Sequence, residues 1–365
     1  MQSDLFYQIA LTLVPNIGDV RAKALLAQFD TAEAIFKTPK QQLEKIEGIG
    51  TVAANAIKNF ADFKICEDEI LFIEKNKITP IFITSSNYPK RLLNCYDSPT
   101  MLYYKGSADL NCAKIVAIVG TRSNSDYGKM VCEKLVADLA VQNVLILSGL
   151  AFGIDTIGHK AALKNNLQTI GVLAHGLDKI YPAANKGIAT DMILQGGLLT
   201  DFMSGTNPDK QNFPRRNRIV AGLCDALLVI ESSAKGGSMI TAELANSYNK
   251  DVFAIPGKIS DSRSEGCNHL IRNNKAILIT SAANLIDSMN WDSTPKKPKQ
   301  QRELFIELTP HEKIVMDILA LVNEMQIDEL NFKTGLSSSS VAQALLMLEM
   351  QGLITSLPGK VYKLA

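Results

Sequence analysis

Four short stretches of this 365-residue sequence place glycines beside hydroxyl and cationic side chains, a mix suited to holding an anion. The first is Gly120-Thr121-Arg122-Ser123, directly after an apolar run. Glycine lets a backbone approach a ligand closely, and amides at a helix start favour negative charge. Arg122 adds a planar cationic fork that matches phosphate. The second stretch runs from Ser148-Gly149 to Asp155, and the third is Lys235-Gly236-Gly237-Ser238-Met239-Ile240-Thr241. The fourth is Pro256-Gly257-Lys258. A different chemistry lies in Asn212-Phe213-Pro214-Arg215-Arg216-Asn217-Arg218, where three arginines and Asn217 sit beside an aromatic ring. Such a run suits a nucleic-acid backbone with one base stacked on Phe213. Periodicity puts Ile219, Val220 and Leu223 inside, so some of the arginines face outward; spacing alone leaves open which.

Other chemistries find less support. The dinucleotide fingerprint G-x-G-x-x-G is absent from the first loop, and so is the P-loop pattern. Phosphate binding is therefore expected without a classical NAD or ATP site, and no cofactor is expected. Asp155 and His159 stand four apart and would share a helix face. Without a third orienting group they read as a cap and a buried structural histidine rather than a catalytic pair. The six cysteines show no C-x-x-C spacing and no histidine pair nearby, so they read as buried small hydrophobes and no metal site is expected.

The loops need a scaffold that brings them to one edge. Residues 104–290 alternate apolar runs with helical stretches, the runs being Ile115–Gly120, Val144–Gly149, Thr169–Ala174, Ala226–Glu231, Val252–Pro256 and Ile277–Thr280. Strands alternating with helices imply crossover connections and a mostly parallel sheet. In an open parallel sheet, ligands bind beyond the carboxyl ends of the strands, which is where the small-residue loops fall. The fold class expected is α/β, an extended Rossmann-like parallel sheet.

Smaller modules flank it. Residues 1–65 read as short helices with turns at Asn16-Ile17-Gly18 and Glu47-Gly48-Ile49-Gly50, resembling two helix-hairpin-helix units in a SAM-like domain. Residues 66–103 read as a mixed connector to the sheet, giving a central domain of 66–290. Residues 291–304 hold Pro, Lys and Gln with little to bury, the composition of a linker. Residues 305–365 read as a winged helix, opening on Thr309-Pro310-His311-Glu312. Residues 104–290 carry 19 Lys/Arg against 16 Asp/Glu, whereas 305–365 carry 4 Lys against 7 Asp/Glu. The third helix of the tail offers no Arg or Lys, so it is expected to contact protein rather than read DNA. The start of the chain lacks the charged region of a signal peptide, and no apolar run is long enough for a membrane span. A cytoplasmic location without membrane attachment is expected.

Several of these runs occur together in the order found in a known family. They are Ile118–Arg122, Ser148–Asp155 with His159, Gly176-Leu177-Asp178 with Tyr181-Pro182 and Asn185, Phe213–Arg218, Gly237-Ser238 with Thr241, Pro256-Gly257, and Gly266-Cys267-Asn268 with Leu270-Ile271-Arg272. The sequence resembles the DNA-processing protein A (DprA/Smf) family over roughly residues 66–290. The resemblance implies a non-enzymatic protein that binds single-stranded DNA, usually as a homodimer. Such proteins protect incoming strands during natural transformation and hand them to the recombinase RecA. It also implies DNA contacts at Arg122, Phe213, Arg215, Arg218 and the amides around Gly237-Ser238. Ser148, Asn185 and Lys258 are further candidates. With the loop residues Gly120, Thr121, Gly149, Asn217 and Thr241 they complete the expected site. Self-association is implied for Asn268–Ile277, with Asn268, Ile271 and Ile277 as interface residues. The chain departs from the family at Thr200-Asp201, at Gly236 and at His175. The Gly-Gly loop with Glu243 is also similar to nucleotide phosphoribohydrolases of the lysine-decarboxylase-like group, an enzymatic alternative that would need acid/base groups over a glycosidic bond.

Overall fold

The structure is a computed structural model that describes residues 4–291, 308–322, 324–357 and 359–364. The chain separates into two compact units, residues 1–292 and 293–365.

The first unit is built on a nine-stranded sheet. Its strands in chain order are β1 (Thr79–Phe82), β2 (Met101–Gly106), β3 (Ile115–Val119), β4 (Leu145–Ser148), β5 (Thr169–Val172), β6 (Gly197–Thr200), β7 (Ala226–Val229), β8 (Asp251–Ala254) and β9 (Ile277–Leu278). In space they lie in the order β1-β2-β6-β5-β4-β3-β7-β8-β9. The seven from β6 to β9 are mutually parallel, and β2 joins β6 antiparallel. The order reverses beside β3: the chain winds outward through β4, β5 and β6, then returns to place β7 on the other side of β3. Loops leaving β3 and β7 diverge there and open a crevice.

The apolar runs read as strands because both sheet faces are covered. Ile115, Ala117 and Val119 pack with Ile219, Val220 and Leu223 of the helix Asn212–Leu223 and with Met239 and Ala242 of the helix Gly237–Ser247. Val116 and Ile118 point the other way, into a second core with Cys132, Leu135 and Val136 of the helix Asp126–Leu139. A two-residue period on a doubly buried strand leaves no polar positions, so the run is continuous.

Three strands were not expected. The connector 66–103 supplies β1 and β2, and Gly197–Thr200 supplies β6. The boundary expected at 65/66 falls inside the helix Phe63–Asn76. The reason is a shared core: Cys66 and Ile73 of that helix pack with Phe6, Ile9 and Ile57 of the N-terminal helices and with Phe82, Met101 and Tyr103 of β1 and β2. The helical hairpins thus grow directly out of the sheet's edge. Their two turns, between Asp4–Leu13 and Asp19–Leu26 and before Thr51–Lys58, are tied by Arg21, which donates to the carbonyls of Asn16 (2.7 Å) and Gly48 (3.1 Å).

The second unit has helices Pro310–Leu319, Ile327–Thr334 and Ser338–Met350 and a small sheet ordered β10-β12-β11 (Met325–Gln326, Ile354–Leu357, Val361–Leu364 for β10, β11, β12). Thr309 and Glu312 form a reciprocal capping box at the first helix. Val315, Leu319, Leu330, Val341, Leu345 and Leu348 make its own core. The linker expected at 291–304 lies, apart from Trp291, outside the described residues. No described helix is long and apolar enough to cross a membrane. All six cysteines are free, and five are buried, with Cys112 half-buried.

Candidate nucleic-acid interface

The switch point beside β3 carries a cleft of about 750 Å³. Its walls come from the loops after β3, β4 and β7 and from one face of the helix Asn212–Leu223, hereafter the arginine helix. Of the expected residues, Gly120, Thr121, Arg122, Gly149, Phe213, Asn217, Gly237, Ser238 and Thr241 meet there.

The β3 loop is held from below. Thr121 N–H donates to the Glu231 carbonyl (2.7 Å), and the Thr121 carbonyl accepts from Ile154 N–H (3.2 Å). The Glu231 carboxylate, buried, accepts from the backbone of Ser125 (2.9 Å) and from its hydroxyl, and Ser125 in turn caps the helix Asp126–Leu139. The loop therefore presents Arg122 from a fixed base. The Arg122 guanidinium lies 5.3 Å from the Phe213 ring centre, and Tyr181 stands 6.2 Å from the same ring. Cation–π contact of this kind orients both groups. After β7, the helix Gly237–Ser247 aims its first-turn amides at the cleft, where such groups have no intrahelical partner. Ser238 donates to the Ser232 hydroxyl (2.8 Å), which fixes the turn.

At the base of the cleft sits Arg216, only 6% exposed. It donates to the Val172 carbonyl and to Asn217 Oδ1 (3.2 Å), and among the described residues no carboxylate lies within ion-pair distance of it. Burial pushes its pKa down, against the pull of Asp155. Asp155 is also buried, and burial raises its carboxyl to about 6 despite Arg216. Gly149 stands between the two. A β-carbon there would come within 2.5 Å of Asp155 Oδ2 and 2.7 Å of Arg216 Nη2. That crowding, not a positive φ, is why the loop needs glycine.

His159 is fully buried and held down to about 4 by burial, so it is neutral. Nδ1 lies 2.7 Å from the Thr169 hydroxyl and Nε2 lies 2.5 Å from the Gly149 carbonyl. Both ring nitrogens are engaged, so neither is free to move a proton to a ligand. The acid/base pair that the enzymatic alternative requires is missing from this position.

The other expected residues lie elsewhere. Ser148 is buried beneath the floor and donates to the Ile118 carbonyl (2.5 Å). Asn185 is buried and donates to the Leu150 carbonyl and the Thr156 hydroxyl, both 2.9 Å. Lys258 is exposed on the loop after β8 but is not on the cleft walls. Arg215 and Arg218 point away from the cleft, because 100° per residue puts them opposite Phe213, Arg216 and Asn217. Arg218 is ion-paired to Asp19 (2.9 Å) and Asp201 (2.8 Å), which hold its pKa up against burial. The structure thus places Arg218 off the cleft, with its charge shared between two carboxylates. Arg216, Lys210 and Tyr181 line the cleft without having been singled out. Helical spacing from Phe213 could have found Arg216.

The expected interface residues cluster at the far sheet edge. Ile277 on β9 is 47% exposed and its neighbour Leu278 is 49% exposed. Ile271 borders the same groove, while Asn268 is turned inward and bonds both the N–H and the carbonyl of Gly257.

A doubly wound α/β sheet with a cationic, aromatic-walled cleft at its switch point defines a Rossmann-like protein. Comparison with known proteins sharpens this. Residues 79–290 match the model of DNA recombination-mediator protein A, residues 296–360 that of the DprA winged helix domain, and residues 9–66 a helix-hairpin-helix motif. Protein Smf of Synechocystis is 31% identical over 399 residues, covering 99% of each chain. The X-ray structure of DNA processing protein A from Streptococcus pneumoniae is similar with a TM-score of 0.67 and 34% identity, over 77% of this chain and 97% of that one. DNA processing protein A of Helicobacter pylori, whose structure describes a single-stranded DNA binding mode, is similar with a TM-score of 0.54 and 31% identity, over 59% of this chain and 97% of that one. The chain belongs to the DNA recombination-mediator protein A (DprA/Smf) family.

Proposed function

We propose that the cleft binds single-stranded DNA without catalysis, and that the protein protects incoming strands and passes them to a RecA recombinase in the cytoplasm. The observation that carries this is Arg216: a buried cation with no ion pair among the described residues, offset only by the more distant Asp155, and open to a cleft whose wall is an aromatic ring. Such a charge is costly unless an anion completes it. Phosphate meets Arg216, Arg122 and the amides at Gly237-Ser238, and a base stacks on Phe213, contributing on the order of 1–3 kcal/mol. Binding is by backbone and stacking, hence largely indifferent to sequence. Homodimerisation through Ile271 and Ile277 completes the reading; Asn268 supports that face by holding the loop at Gly257. Arg215, Ser148, Asn185 and Lys258 support or border the site rather than line it.

The test is titration of fluorescent single- and double-stranded oligonucleotides of several lengths at several salt concentrations. With Arg122, Lys210 and Arg216 as the cleft cations, log affinity is expected to fall with log salt at a slope of about −2 for single strands. Arg216→Ala and Arg122→Ala should each weaken binding to every sequence and flatten that slope. Wild-type affinity and slope in both variants would remove the cleft from consideration. Delivery to RecA is tested separately, by whether the protein speeds recombinase assembly on strands coated with a single-strand binding protein.

A further inference from the structure

The arginine helix has a reverse face, and it is bolted to the N-terminal hairpins. Asp19 opens the helix Asp19–Leu26 immediately after the first hairpin turn at Gly18. Its carboxylate bridges Arg218 Nη1 at 2.9 Å and accepts from the Thr100 N–H (2.7 Å) and hydroxyl (2.8 Å). Arg218 reaches on to Asp201, whose side chain is 2% exposed, and to the Asp97 carbonyl. Arg215 bonds the same Asp201 oxygen (3.1 Å) and lies 4.9 Å from the Phe202 ring centre. One turn along the hairpin helix, Lys23 donates to the carbonyls of Cys95 (3.3 Å) and Tyr96 and to the Ser98 hydroxyl. The start of this first hairpin helix thus faces the sheet and the arginine helix, where Asp19 engages Arg218 and Thr100.

Phe213 and Arg216 sit on the other side of the same helix, within about a turn and a half of Arg218. Their placement in the cleft depends on how that helix is rotated and seated. A carboxylate from the hairpin grips the helix at Arg218, so it fixes both. We infer that the first hairpin of the helix-hairpin-helix module is a positioning element of the DNA cleft, acting through the Asp19–Arg218 pair. The inference rests on the reading of the cleft as a single-stranded DNA site. Asp19 and Arg218 are positioning residues in it.

Electrostatics alone and positioning predict opposite signs for one substitution. Asp19→Asn removes a negative charge, which by simple attraction tightens binding to a polyanion. Positioning predicts the reverse: the full-length variant, tested well below its melting temperature, binds single-stranded oligonucleotide about fivefold or more weakly, the scale of coupling through a packed element. Its salt slope stays that of the unaltered chain, since no phosphate contact is lost, unlike Arg216→Ala. Asp19→Glu, which keeps a carboxylate, restores most of the affinity. Thr100→Val removes a hydrogen bond that aims Asp19 without altering charge, and gives a smaller loss in the same direction even if Asp19→Asn folds poorly. Binding by Asp19→Asn and Thr100→Val as tight as, or tighter than, the unaltered chain overturns the inference. If the unaltered chain binds no DNA, the cleft reading fails by itself. The coupling is then decided by hydrogen exchange across Asn212–Leu223: faster exchange in Asp19→Asn upholds it, and unchanged protection overturns it.

Discussion

Gly149 sits where a buried carboxylate and a buried guanidinium close in from either side. Gly149→Ala forces a β-carbon into that gap, and overpacking of this kind costs about 1–3 kcal/mol. The variant should unfold at lower denaturant and bind strands more weakly; normal values for both would show that the gap yields. Asp155 and His159 respond to acid in opposite senses. The Asp155 carboxyl is raised by burial from the ordinary 3.8 to about 6, so the fold takes up a proton that the unfolded chain does not. Its contribution therefore favours the fold increasingly as pH falls from about 6 toward 4. His159 is lowered from 6.5 to about 4, so its contribution is present above pH 6.5 and is lost as pH falls toward 4. On acidification from pH 7 to 4.5 the unaltered chain should gain stability relative to Asp155→Asn, by on the order of 2 kcal/mol at about 1.4 kcal/mol per pH unit. Urea melts at the two pH values measure this, and parallel behaviour of the two proteins would refute the buried-carboxylate account.

Elements explain which part of the site could be read from sequence. The strands β3, β4, β5, β7 and β8 announce themselves because burial on both faces leaves a continuous apolar run, and the loops at their ends carry glycine where backbones crowd. β1 is Thr-Pro-Ile-Phe, and its proline argues against a strand until an edge position is known. β6 is four residues led by glycine, too short and too weak in strand propensity to stand out from the helix before it. The arginine run was visible as chemistry but not as geometry. Phe213, Arg216 and Asn217 share one face and Arg215 and Arg218 the other, and the decisive fact about Arg218, its pairing with Asp19, joins residues about two hundred positions apart. Long-range ion pairs of that kind have no local signature. At the opposite edge, β9 ends the sheet with exposed Ile277 and Leu278, an open strand of the sort that proteins usually cover. If the proposed homodimer forms through this edge, the unaltered chain sediments as a dimer and Ile277→Asp as a monomer. An unchanged sedimentation coefficient would remove this edge from the interface.

Across the whole molecule, charge and folding are divided between two units. The second has its own core and an acidic balance, and its third helix carries Leu346, Met347 and Met350 exposed where a DNA reader would carry cations. A chain ending at residue 291 should fold and keep the single-strand affinity of the full protein; a loss of more than about tenfold, 1.4 kcal/mol, would assign the tail a part in binding. The cleft itself bears Arg122, Lys210 and Arg216 on a chain whose formal net charge is +1. So few cations make a shallow hold, and a shallow hold means a short dwell time for any one copy on a strand. Under the proposed function, lasting coverage would then come from avidity, neighbouring copies raising one another's local concentration along the polymer. On the proposed function, the same brevity would make the strand easy to surrender, because a filament that grows on exposed DNA would have only to occupy each stretch as it is vacated and need not displace a tight binder.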